Sequence, residues 1–396
     1  MNTEELGNFA GRLTEFIKAS GACAVGFCNA ETLKGGPPST DLTREMASAK
    51  TAIVFAFPQD HKLIESYMGK IDHDSYQRHY IEVNTMTVGV AAEVAHLCRG
   101  QGFDAMPVHA GNTASGGDNR DVSPQNEMQR KAAERYPTTD VDMFIGTIPV
   151  LSQRFLAAAS GVGFFGRSGS ILTADEGATV VLGAVVTSAE FAPTPPLPEE
   201  DNYCDECNWC EAVCPTKYMS TTENNFVELG ERTHKYSKRM NPIRCGLHMG
   251  GVAGMAYNDR FSSWGPTRKK LPENDEDLFV KVMELTDDLT QRPEVAGGFI
   301  PAFQPAGKMN IMCSACNLVC HPKREVRARR VKMWTQGGVV VQHEDGRLEA
   351  MPREDAAARE APELPPGIRV GGGGGGQGGG REQRHADGQD EERTEH

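Results

Sequence analysis

The sequence predicts an α/β layered domain, followed by a cysteine-rich cluster module and a low-complexity tail. Three observations carry that expectation. Helix-like and strand-like segments alternate ahead of residue 190, most of the 11 cysteines crowd into two runs beyond residue 200, and after residue 351 the composition shifts to Glu, Arg, Pro and Gly. At 396 residues the chain has room for two or three domains and a substantial core.

The elements follow in order. Leu6, Phe9, Leu13 and Phe16 lie close to helical period, ahead of a strand-like segment at 22–27. A helix-like stretch at 40–48 leads into a strand at 51–58. Val88, Val90, Ala91, Val94, Ala95, Leu97 and Cys98 suit a helix at 87–99 buried on one side; Gly102 ends it, and 103–108 reads as a strand. A helix at 151–160, a glycine loop at 161–167 and strands at 170–172 and 179–187 complete the domain. The proline run at 193–198 marks its boundary, because proline continues neither element. The expected units are therefore 1–198, a cluster module at 199–330, a short hairpin extension at 331–350 turning through Asp345-Gly346, and a disordered tail at 351–396, whose Gly371 to Gly380 run buries too little apolar surface to fold.

Cys204-x2-Cys207-x2-Cys210-x3-Cys214-Pro215 is answered by Cys313-x2-Cys316-x3-Cys320. The first run has the thiolate spacing of a [4Fe–4S] cube whose fourth cysteine serves the other cluster of a pair. Two cubes need about eight thiolates. The two runs contain seven cysteines, and Cys245 is the spare one between them. The crossed topology assigns Cys204, Cys207, Cys210 and Cys320 to one cluster and Cys214, Cys245, Cys313 and Cys316 to the other. Zinc is the competing explanation, but the 2-2-3 spacing closed by proline exceeds what a tetrahedral site uses. Cys23, Cys28 and Cys98 sit in apolar segments and read as small hydrophobes.

Lys and Arg number 41 against 54 Asp and Glu, a net charge of -13, which argues against nucleic acid as the main partner while leaving a basic patch at 323–332. No basic leader, apolar leader or membrane-length run is evident, so the expected location is the cytoplasm, where thiolates stay reduced.

Gly161-Val-Gly-Phe-Phe-Gly166 matches GxGxxG, yet it follows a helix and precedes strands, the inverse of the dinucleotide-binding context. NAD binding is rejected. The glycines instead allow close approach either of a large flat ligand or of a neighbouring element.

The stretch 151–187, with the Gly-Phe-Phe-Gly-Arg turn ahead of the cysteines, resembles cobalamin-dependent reductive dehalogenases and epoxyqueuosine reductases, both of which end in a double [4Fe–4S] module with an intervening cysteine like Cys245. The resemblance covers residues 80–322. It implies a base-off corrinoid over a nitroreductase-like α/β (α+β) core, two clusters relaying electrons from a low-potential donor of ferredoxin or flavodoxin type, and reduction of a small organic, organohalide-like substrate. Gly161, Gly163, Gly166 and Arg167 are the candidate cofactor contacts; Arg154 and Arg167 are candidates for corrinoid carboxamides, an acidic substrate or surface pairs.

The catalytic positions of these families are altered. Asn84 stands near the dehalogenase tyrosine, with Tyr80 and Tyr76 one and two turns upstream, and Val181 replaces the assisting Lys or Arg. Asn112 persists in His109-Ala-Gly-Asn112, whereas Gly146-Thr-Ile-Pro-Val-Leu151 stands where epoxyqueuosine reductases carry an acid. Neither Asn nor Val supplies a proton near neutral pH, so Tyr80, Tyr76, His79 and His109 are the remaining donors, with Asn112 as a site residue. The rival expectation is a non-catalytic two-cluster electron carrier docking to a redox partner.

Overall fold

A computed structural model describes residues 1–108, 150–240, 242–268, 270–274, 277–278, 281, 299–300, 304–305 and 312–360. Its centre is a four-stranded sheet of β1 (Ala24–Asn29), β2 (Thr51–Pro58), β3 (Ala105–Val108) and β6 (Val180–Thr187) in the order β1-β2-β6-β3. Every pairing is antiparallel. The helices and strands expected from the sequence therefore assemble in the α+β manner and not around parallel crossovers.

Seven of the eight β2 residues are buried, because both sheet faces are covered. Ile53, Phe55 and Phe57 pack with α1 (Thr3–Ala19) and α3 (Asp74–Gly100). Ala52, Val54 and Ala56 face the other way, into a core shared with Ala157, Ala158 and Ala159 of α4 (Gln153–Ala159). The period-2 alternation puts large side chains under the long helices and small ones under the alanine-rich helix. α1 starts on a capping box between Asn2 and Glu5.

α3 begins thirteen residues ahead of the predicted 87–99 (74 against 87). Its extra turns carry polar and aromatic residues rather than an apolar stripe. Tyr76 lies in a third core with Tyr67 of α2 (His61–Met68), Trp264, Phe261 and Trp334, which joins the sheet domain to the cysteine segments.

Beyond the sheet, β4 (Phe164–Phe165) pairs with β5 (Ile171–Leu172), and β7 (Met219–Leu229) forms a long hairpin with β8 (Arg232–Arg239). Cys210 sits in the one-turn α5 (Trp209–Ala212), Cys245 in α6 (Pro242–Met249) and Cys316 in α7 (Ala315–Leu318). β9 (Phe299–Ile300) and β10 (Gln304–Pro305) pair within the insertion. The basic segment at 323–332 folds as α8 (Arg324–Gln336), with Arg327, Arg330 and Trp334 buried. A hairpin of β11 (Val339–Gln342) and β12 (Leu348–Met351) follows, reversing near Gly346, whose φ is 86°. The tail does not begin at 351: α9 (Arg353–Glu360) is folded, with Ala356 buried in a cluster with Val339, Val341 and Met351. The rest of the tail, from 361, lies outside the described residues. Among those described, no helix is long and apolar enough to cross a membrane.

Candidate active site and cysteine centres

A cavity of about 450 Å³ opens where the sheet domain meets the cysteine segments. Cys214, Cys245, Cys313 and Cys316 line it, drawn from three separate stretches of chain, and Tyr80, Asn84, Val181 and Leu182 line it from the sheet domain. The α3 face that carries Tyr80 and Asn84 thus meets one of the two cysteine quartets assigned from spacing. Burial raises the Cys245 thiol to about 12 and Cys316 to about 11, and Cys214 pushes Cys316 further. Cys313 is raised well above an ordinary thiol by burial. Such thiols ionise readily only when a cation compensates them.

The other quartet is Cys204, Cys207, Cys210 and Cys320. Cys207 lies between two residues in left-handed conformation, Glu206 (φ 49°) and Asn208 (φ 59°), so the chain curls tightly through the run. Burial raises Cys320 to about 12, with Cys204 and Cys207 among the neighbours that add to it, and Cys210 is raised by burial and then by Cys316, Cys320 and Cys204. The Arg167 backbone N–H donates to Cys204 Sγ at 3.3 Å and Arg327 Nη1 to Cys207 Sγ at 3.5 Å. In the cavity quartet, Tyr218 N–H donates to Cys214 Sγ at 3.4 Å. Among the described residues, no three His, Cys, Asp or Glu side chains converge on one ion position.

The candidate residues separate sharply. Tyr80 faces the cavity, its phenol raised by burial against a weaker hydrogen bond from Asn84. Tyr76 does not: it is 1% exposed, its hydroxyl donates to Gln59 Oε1 at 3.0 Å and its ring lies 4.3 Å from that of Tyr67. It is a core residue rather than a proton donor. His79 Nε2 accepts from the Asp60 N–H at 2.7 Å, and His73 packs on Trp264. Asn112, His109 and Gly146 lie outside the described residues.

The glycine loop is also corrected. A Cβ at Gly161 would lie 2.4 Å from Pro195 O, one at Gly163 2.5 Å from Ile171 Cγ2, and one at Gly166 2.9 Å from Leu172 Cδ1. These glycines admit neighbouring elements, and none lines the cavity. Arg167 is turned away from it, with Nε on Glu211 Oε1 at 2.6 Å and Nη2 on Thr221 O at 3.1 Å. Cys28 and Cys98 are buried as expected, whereas Cys23 is exposed, its thiol donating to Ala56 O at 3.3 Å.

Arg154, Arg239 and His248 line the cavity as well. Arg239 Nε and His248 Nδ1 are buried without a hydrogen-bond partner among the described residues, and burial lowers His248 to about 3. His248 was discoverable: it follows Cys245 by one helical turn and shares its face. Nothing in the sequence marked Arg239.

No protein-family model matches the chain. Epoxyqueuosine reductase from Bacillus anthracis is 30% identical over 106 residues, 26% of this chain and 27% of that protein. The Gloeobacter violaceus epoxyqueuosine reductase is 30% identical over 93 residues, 24% of this chain and 28% of that one. The chain thus spans about a quarter of the length of the curated relatives it matches. Among solved structures, a catabolic reductive dehalogenase in complex with 3-bromo-4-hydroxybenzoic acid gives a TM-score of 0.40 at 16% identity, over 60% of this chain and 28% of that one. An epoxyqueuosine reductase with an epoxyqueuosine-modified tRNA stem loop gives 0.32 at 16% identity, over 54% and 53%.

The site and the mixed α/β architecture define a cysteine-rich protein with an open cavity where the sheet domain meets the cysteine segments. The resemblance to epoxyqueuosine reductases, drawn from 151–187 and the cysteines, stands on the sequence relatives. One expectation falls: nucleic acid is not excluded as a main partner, since the relatives are epoxyqueuosine reductases and one such protein is seen holding a tRNA stem loop. Net charge averages over the whole chain, whereas nucleic acid meets one face.

Proposed function

We propose that this chain is an oxidoreductase that uses two [4Fe–4S] clusters and a corrinoid to reduce an organic substrate. The observation that carries the reading is the convergence of Cys214, Cys245, Cys313 and Cys316 with Tyr80 on one cavity. Cys204, Cys207, Cys210 and Cys320 hold the cluster that receives electrons from a low-potential donor, and the cavity quartet holds the one beside the reaction. Thiols raised by burial and orphaned polar atoms in the wall suit a charged occupant.

The described walls fit the edge of a corrinoid nearest the quartet; at about 450 Å³ they do not enclose all of one. A bound corrinoid supplies a low-potential metal centre for reductive bond cleavage. Tyr80, kept neutral by burial, supplies the proton. Val181 and Leu182 exclude water and add no second acid. The division into a substrate-binding part at 1–198 and a cluster module at 199–330 follows from the same reading, as does a cytoplasmic setting for the clusters.

The relatives' names bring epoxyqueuosine-modified tRNA forward as a substrate to test beside aryl halides. Turnover of either by anaerobically reconstituted protein with an artificial reductant supports the reading; none with any candidate favours the second one, a two-cluster electron carrier. Val181 at the assisting-base position is the observation behind that alternative.

A further inference from the structure

We infer that Arg154 and Arg239 form a cationic pair that offsets the charge of the cluster held by Cys214, Cys245, Cys313 and Cys316 and raises its reduction potential. The inference rests on the cluster assignment proposed above. Both arginines line the cavity with all four cysteines. Arg154 reaches it from α4 and Arg239 from the end of β8, and both are tied to one loop: Arg154 Nη1 donates to Gly169 O at 3.1 Å and Arg239 Nη2 to Ser168 O at 2.9 Å. Gly169 has φ 72°, and a Cβ there would lie 2.6 Å from Arg239 Nη2. The loop is shaped to admit that guanidinium.

Among the described residues, Arg239 Nε has no hydrogen-bond partner, and its guanidinium lies 5.9 Å from the ring centroids of Tyr218 and Tyr236. Two like charges lining one cavity repel unless an anion joins them. The Arg239 charge lowers the Arg154 guanidinium to about 10. A cube held by four thiolates is anionic and gains one more negative charge on reduction, so nearby cations favour the reduced form. The other quartet has its own arginine: Arg327 Nη1 donates to Cys207 Sγ at 3.5 Å and to Asp205 Oδ1 at 2.8 Å, a carboxylate it shares with Arg324.

The test uses the full chain reconstituted anaerobically, with iron analysis and EPR-monitored redox titration of wild type, R154Q, R239Q, R154K and R239K. At full iron content, each Gln variant is expected to lower the reduction equilibrium constant of one cluster at least tenfold, about 59 mV for a one-electron couple, while the Lys variants stay near wild type. Loss of half the iron in the Gln variants but not in the Lys variants also supports the pair. Unchanged midpoints at full iron, or equal iron loss in Gln and Lys variants, would overturn it. A wild-type protein that holds no second cluster overturns the cluster assignment itself, and iron analysis of the wild type separates that failure from this one.

Discussion

Gly163→Ala decides whether the glycine loop is a ligand cradle or a packing joint. The added methyl would sit 2.5 Å from Ile171 Cγ2, 2.8 Å from Leu172 O and 3.1 Å from Leu172 C. Ile171 and Leu172 form β5, paired with β4 and buried, so the strand has to move. Overpacking of this kind costs about 1–3 kcal/mol. At about 2–4 °C per kcal/mol for a domain of this size, the expected fall in Tm is roughly 2–12 °C. Differential scanning fluorimetry reads the fall, and optical titration with hydroxocobalamin reads cofactor uptake, which is expected to match wild type because Gly163 does not line the cavity. An unchanged Tm together with lost cobalamin uptake would refute the packing argument and restore the cradle.

The remaining predictions use other parts of the site. Tyr76→Phe orphans Gln59 Oε1 and is expected to cost about 1–3 kcal/mol in denaturant unfolding with turnover unchanged. Tyr80→Phe is expected to do the reverse, lowering turnover by about 10²–10⁴-fold at wild-type stability; equal effects of the two would contradict the separation of their roles. Cys245→Ser is expected to leave about four irons, as is Cys207→Ser, with different EPR signals remaining. Asp60 caps α2 by accepting from the Lys62 and Leu63 N–H groups at 2.7 and 3.1 Å, which holds its carboxyl below the usual range. Asp60→Ala is expected to cost about 1 kcal/mol at neutral pH. Because the folded carboxyl is depressed, that contribution is present above the ordinary carboxylate range and disappears as pH falls through it, so wild type and variant should converge in acid.

The sheet and the cysteines were legible because each follows a local rule. β2 and β6 announce themselves by unbroken apolar runs, and the cysteine runs by their regular spacing. The first half of α3 was not legible as helix, since Tyr76, Tyr80 and Asn84 serve an aromatic core and a cavity instead of one apolar stripe. α8 carries few apolar residues and is anchored by Trp334 and by arginines buried on distant partners, such as Arg330 on Leu318 O and His61. The glycine motif misled because close approach to protein and close approach to ligand leave the same residues behind. Arg239 was invisible because only the folded hairpin carries it to the cavity.

The most direct test of the central claim is the iron, sulfide and cobalt content of anaerobically purified protein after incubation with hydroxocobalamin, with optical and EPR spectra. The account predicts about eight irons in two clusters and one cobalt with a base-off Co(II) signal. Zinc in place of iron would contradict the reading of both quartets, and eight irons without cobalt would contradict the reductase and leave an electron carrier.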